Sequence, residues 1–168
     1  MNVINGQNNN IIFEESKFYE LFKSHRHFGL IGSQELKRAE RYCSFLSLVT
    51  IQIEFGDNLQ FPIATETGAI LIIDDLQDEL HRIICKTLRE TDYVSGFESG
   101  KIGILLVETS RGGAEVLLKR IKSVLDSFLD SISLDSNSLN YKTLIVSFPN
   151  EGANRQDFQE VLNSFIDK

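Results

Sequence analysis

TDYVSGFESGKIGILLVET, residues Thr91 to Thr109, holds two apolar runs, Tyr93 to Phe97 and Ile102 to Val107, separated by Ser99-Gly100. Short β-rich runs on either side of a Ser-Gly pair predict two antiparallel strands joined by a tight hairpin. Helical periods flank the pair. Upstream, Asp74 to Arg89 places Leu76, Leu80, Ile83, Ile84 and Thr87 on one face, behind an acidic first turn of Asp74, Asp75 and Asp78 that suits the helix dipole. Downstream, Gly113 to Leu129 places Ala114, Leu117, Leu118, Ile121, Val124, Leu125 and Phe128 on one stripe.

Beyond each helix the period returns to two. Leu46 to Phe55, LSLVTIQIEF, is apolar on both faces and predicts a central strand, and Tyr141 to Phe148 predicts another. The order is β-α-β-β-α-β, the signature of an α+β, ferredoxin-like core with a mainly antiparallel sheet. Additional helices are predicted at both ends. Phe13 to Phe28 reads as a short helix punctuated at Gly29 and Gly32, Ser33 caps a second through about Tyr42, and Arg155 to Ile166 closes the chain. Met1 to Asn10 is Asn-rich and loose, and Ala69 to Ile73 is an apolar run without an assignment. The domain reading is an appendage at 1–32 and one domain at 33–168.

The composition narrows the function. With 17 Lys and Arg against 24 Asp and Glu, the formal charge is −7, which argues against nonspecific binding to nucleic acid or anionic lipid over the whole surface. Any anionic ligand must meet a local basic cluster. One exists between Arg111 and Lys122, where Arg111, Lys119, Arg120 and Lys122 face the single acid Glu115. Cys43 and Cys85 are far apart and lack His neighbours at metal spacing, so a reduced, cytoplasmic setting is expected and no metal site. Cys85 falls on the inner side of its helix and reads as core; His81 reads as polar-face. His25-x-His27 has no matching acid or thiol and reads as surface or helix end. Gly112-Gly113 precedes a helix but lacks the Lys-Ser/Thr of a phosphate loop. No signal peptide or membrane-length apolar run is visible.

The segment Thr91 to Thr109 resembles the heart of the GGDEF, or diguanylate cyclase, family, in which an Asp-x-Val strand enters a Gly-Gly-Asp/Glu-Glu-Phe hairpin followed by an Ile-Leu-Leu strand ending in Glu-Thr. ELKRAERYCSFLSLVTIQIE (Glu35 to Glu54), GAEVLLKRIKSVL (Gly113 to Leu125) and LIVSF (Leu144 to Phe148) extend the resemblance over about Ser33 to Phe148. In register, however, the five signature positions read Glu98, Ser99, Gly100, Lys101 and Ile102. The resemblance implies acidic metal ligands on the hairpin and first strand, where this chain has Lys101 and Gln52. Reversing one charge about 4 Å from a cation changes the interaction by several kcal/mol even at an effective dielectric of about 20. The family's Phe-Lys-x-x-Asn-Asp stretch is missing, and Asp74 alone falls near its base-binding Asp. Loss of cyclase activity is expected, with no catalytic residue, no cofactor and no magnesium.

A second feature of the family is retained. Arg89-Glu90-Thr91-Asp92 stands five residues before Glu98, as does the Arg-x-x-Asp motif of the family's inhibitory site for cyclic di-GMP, and Arg120 matches the further arginine on the following helix. The chemistry suits the ligand: an arginine fork pairs with phosphate or guanine O6 and N7, and a carboxylate accepts the guanine N1 and N2 protons. The resemblance therefore implies a bacterial signalling protein that receives cyclic di-GMP through Arg89, Asp92 and Arg120, with a homodimer or a protein partner as its output. A structural Arg89/Asp92 pair at a helix end, on an interaction scaffold that binds no nucleotide, is the alternative.

Overall fold

A computed structural model describes residues 24–57, 59–64, 68, 70–132, 134, 138–149 and 155–167. The elements are α1 (His25–Tyr42), β1 (Leu46–Phe55), β2 (Ile63–Ala64), β3 (Ile70–Leu71), α2 (Ile73–Thr87), β4 (Tyr93–Val94), β5 (Lys101–Val107), α3 (Arg111–Ser131), β6 (Leu139–Phe148) and α4 (Arg155–Ile166). The main sheet runs β4-β5-β1-β6 and every pairing in it is antiparallel. That order and polarity are those of the β-α-β-β-α-β core expected from the sequence. β1 is central, paired along ten residues with β6 and along seven with β5.

The pleat of β1 divides the interior in two. Val49, Ile51 and Ile53 face α2 and α3, where they meet Leu80, Ile84, Ile104, Ile121 and Leu125. Leu46 and Leu48 face the opposite way, into a cluster with Phe28, Leu36, Leu105, Phe158 and Leu162 beneath α1 and α4. A strand buried on both faces needs the near-continuous apolar run that β1 has.

α1 differs from the expected break at Gly29 and Gly32: one helix runs through both glycines and through Ser33. Contact with α4 is the reason. A Cβ at Gly32 would lie 2.8 Å from Leu162 Cδ2, and one at Gly29 would overlap Ile166, so the glycines bring two helices together and do not end one. The part of the expected first helix before residue 24 lies outside the described residues. Of the run at Ala69 to Ile73, Ile70–Leu71 form β3, which pairs with β2 as a separate two-stranded sheet, and Ile73 opens α2, while Ala69 lies outside the described residues. Ile70, Ile72 and Ile73 remain exposed there.

Candidate functional site

The hairpin between β4 and β5 turns through Ser99 and Gly100, both with positive φ (51° and 72°), and is closed by Glu98 and Lys101 bonding each other's backbone. This is the backbone of a two-residue type I′ turn, in which glycine removes the steric cost at the second position. Gln52 and Lys101 are directly opposed across β1 and β5. The Gln52 amide donates to the Ser99 carbonyl at 2.9 Å, while the Lys101 ammonium lies 5.8 Å from the Phe165 ring centroid. Lys101 thus places an ammonium, and Gln52 a neutral amide, beside the turn. Among the described residues no cluster of three His, Cys, Asp or Glu side chains could hold a metal.

His25 and His81 brace this hairpin from two helices. His25, at the start of α1 as a helix-end placement requires, is nonetheless buried, with Nε2 3.0 Å from the Gly96 carbonyl and 3.1 Å from that of Lys101. Its ring stacks on Phe165, and its backbone N–H donates to Glu98. His81 corrects the polar-face reading: it is 8% exposed, and its Nε2 meets the Ser95 carbonyl at 3.0 Å. Both rings meet backbone carbonyls around the irregular stretch after β4, those of Ser95, Gly96 and Lys101, which hydropathy alone does not reveal. Cys85 is partly exposed and sits against His81, unlike the core position expected for it.

The structure brings Arg89, Asp92 and Arg120 to one cleft of about 300 Å³, lined also by Leu106, Thr109, Gly112, Gly113, Val116 and Leu117. α2 ends at Thr87, and the next residues turn back: Asp92 N–H donates to the Arg89 carbonyl at 3.1 Å and Arg89 N–H to Asp92 Oδ2 at 3.0 Å. The turn thus fixes the Asp92 carboxylate through one oxygen. Its other oxygen, Oδ1, is buried without a hydrogen-bond partner. Arg120 reaches across from α3 and donates through Nη2 to the Thr87 carbonyl at 2.6 Å, while the exposed Arg89 side chain borders the same space. The N-terminus of α3 opens beside them; Ser110 caps it by accepting from Gly113 N–H.

Only Arg120 of the basic run Arg111 to Lys122 lines this cleft. Arg111 pairs with Glu115 and donates to the Ile145 carbonyl, and Lys119 and Lys122 are on other faces of α3. Helical period explains the selection: Gly113, Val116, Leu117 and Arg120 share one side of α3 at steps of three and four, Arg111 and Lys122 fall opposite it, and Lys119 lies on its flank. Among the described residues the other buried polar side-chain atom without a partner is the Tyr141 hydroxyl. It packs against the α2–α3 side of the core, where burial first and the Asp126 charge second push it up to about 12, so it stays protonated.

No family model matches the chain, and no curated protein matches it significantly. Solved structures do. A DGC protein from Thermotoga maritima is 13% identical with a TM-score of 0.61, over 86% of this chain and 95% of that one. The GGDEF domain of FimX from Pseudomonas aeruginosa is 15% identical with a TM-score of 0.63, over 85% of each. The GGDEF domain of DgcB from Caulobacter crescentus, solved in complex with c-di-GMP, is 12% identical with a TM-score of 0.61, over 84% of this chain and 81% of that one. At such identities the likeness shows a GGDEF-like fold.

Proposed function

We propose that this chain is a catalytically inactive GGDEF-type domain that serves as a receptor for cyclic di-GMP, held by Arg89, Asp92 and Arg120. One observation carries the reading: three side chains from two distant segments border one cleft, and the carboxylate among them keeps a buried acceptor, Asp92 Oδ1, without a partner. A buried acceptor left unmatched is costly, and a guanine N1–H or N2–H would match it. Arg89 supplies the planar fork for the guanine edge or its phosphate. The N-terminus of α3 at Gly112 adds a backbone donor and the positive end of a helix dipole, which favour a phosphate. Val116, 67% exposed, offers an apolar surface to the face of a base.

The cleft is at the small end of ligand sites, so it holds one half of a dinucleotide and leaves the other for a second copy or a partner to cover. Loss of cyclase activity follows from Gln52 and Lys101, whose donor chemistry opposes a metal-activated attack on GTP.

Calorimetric titration of cyclic di-GMP into the purified chain tests the receptor. Binding that disappears in Arg89→Ala and Asp92→Ala supports it; absence of heat at high micromolar ligand rejects it in favour of a scaffold that binds no nucleotide. Incubation with GTP and magnesium tests the second half, the expected result being no cyclic product. Turnover would overturn the assignment of Gln52 and Lys101.

A further inference from the structure

β6 is the outer strand of the main sheet, ten residues long and paired on one side only, with β1. The ladder fixes which of its backbone groups face outward. Ile53 N–H donates to the Gly100 carbonyl, so the odd residues of β1 bond toward β5 and the even ones toward β6. Thr50 stands opposite Leu144 and Gln52 opposite Lys142, so the even residues of β6 are the ones engaged. The odd residues Tyr141, Thr143, Ile145 and Ser147 therefore hold their N–H and C=O groups toward the open edge. Arg111 marks the same direction, donating to the Ile145 carbonyl at 3.1 Å. Among the described residues no other hydrogen bond reaches these outward groups.

An open edge of this length is a template for another strand, and proteins blunt such edges with a bulge, a proline or a charge. Across Leu139–Phe148 the register with β1 is unbroken and there is no proline before Pro149. The one charge, Lys142, is turned onto Glu54 of β1 at 2.6 Å. Leu144, at the centre of the strand, is 50% exposed, whereas Leu48 and Val146 on the same face are buried beneath α1 and α4.

We propose that β6 is a self-association surface: a second copy of this chain adds its own β6 antiparallel across a two-fold axis at Leu144, joining two four-stranded sheets into one. The strand's own sequence selects this occupant. Odd residues must bond odd residues across the edge, and an axis at Leu144 pairs Thr143 with Ile145 and Tyr141 with Ser147 of the second copy. Leu144 then meets Leu144 at the closely spaced, non-hydrogen-bonded position, and Lys142 meets Val146. An axis at Lys142 would instead oppose two ammonium groups.

Charge along α3 agrees with the axis. Arg111 reaches Ile145 and the Asp126 charge acts on the Tyr141 hydroxyl, so both ends of α3 lie along this strand. The two-fold reverses one copy's α3 against the other and brings Arg111 to the end where the second copy presents Asp126. Arg111 is half exposed and also pairs with Glu115, so it can yield the Ile145 carbonyl to an incoming strand. None of these residues lines the cleft at Arg89, so the association does not require cyclic di-GMP.

Sedimentation velocity of the full-length chain, without ligand and at high micromolar protein, reads the assembly. A mass of two chains is expected, and a single chain at every concentration overturns the proposal and leaves the edge to a strand from another protein. Leu144→Asp, at an exposed position, opposes two carboxylates and should weaken dimerisation at least about tenfold. A dimer that survives it is formed elsewhere and rejects the proposal. Thr143→Pro should also dissociate the dimer, because the N–H it removes faces outward and takes no part in the ladder with β1. Should that variant not fold, Leu144→Asp decides alone. With Cys43 and Cys85 replaced by serine, Leu144→Cys should form an intermolecular disulfide on mild oxidation far faster than Lys142→Cys. Cross-strand spacing at the axis suits a disulfide, and the two copies of Lys142 are four residues apart along the strands. The opposite preference places the axis elsewhere and rejects the proposal.

Discussion

The hairpin at Ser99-Gly100 and the cleft at Arg89 are built from adjoining stretches of chain, yet one is closed upon itself and the other is open. At the hairpin the backbone and two neighbouring side chains find internal partners: Gln52 with Ser99, Ile53 N–H with the Gly100 carbonyl at 2.8 Å, and His25 with two carbonyls. At the cleft, Asp92 keeps one oxygen without a partner, and Arg89 lies exposed beside it. Polar groups satisfied internally contribute to stability; polar groups held in place but left unmatched are a reserve for binding. The contrast gives the hairpin a structural part and, under the proposed function, leaves recognition to the turn before it, so substitutions at the two places should separate accordingly.

The largest effect is expected at the hairpin. A Cβ at Gly100 would stand 2.7 Å from the Ile53 carbonyl oxygen at φ +72°, and backbone cannot yield as a side chain can. Gly100→Ala should lower unfolding stability by about 2–3 kcal/mol, read by urea denaturation. An effect below about 0.5 kcal/mol would show the turn to be malleable and break the contrast. Next comes Arg89→Ala, which on the cleft side should weaken cyclic di-GMP binding about 30-fold, or about 2 kcal/mol, while moving stability by less than about 0.5 kcal/mol, because the side chain is exposed. A large stability loss with unchanged affinity would make it the structural pair of the alternative reading. Gln52→Ala should cost about 1 kcal/mol through the lost bond to Ser99 and leave ligand affinity alone.

Much of this architecture is legible in the residues. The two-faced apolar run of β1, the stripe of α3 and the Ser-Gly turn each announce an element through period or conformational preference, and together they imply the sheet order. What is not legible depends on neighbours distant in sequence. Gly29 and Gly32 look like breaks because their purpose, room for Ile166 and Leu162, lies on a helix more than a hundred residues away. His25 and His81 look like surface because hydropathy counts their polarity and cannot count the carbonyls of Gly96, Lys101 and Ser95 that meet them. At the cleft, Arg89, Asp92 and Arg120 could be named through a resemblance, whereas the unmatched oxygen of Asp92 needed coordinates.

A second glycine tests the same contrast with the same chemical change as Gly100→Ala. Gly112 lies in the first turn of α3, and a Cβ there meets nothing within 4 Å. Gly112→Ala therefore removes backbone freedom from the unfolded chain without cost in the folded one, and should raise stability by about 0.5 kcal/mol, opposite in sign to Gly100→Ala. The open space around that position belongs to the cleft, so the added methyl should stand where a phosphate approaches the helix N-terminus and weaken cyclic di-GMP binding severalfold. A more stable protein that binds its ligand less well is a result that a purely structural Arg89-Asp92 turn cannot produce. Unchanged affinity in Gly112→Ala would move the phosphate away from α3 and leave Arg89 and Arg120 alone to hold it.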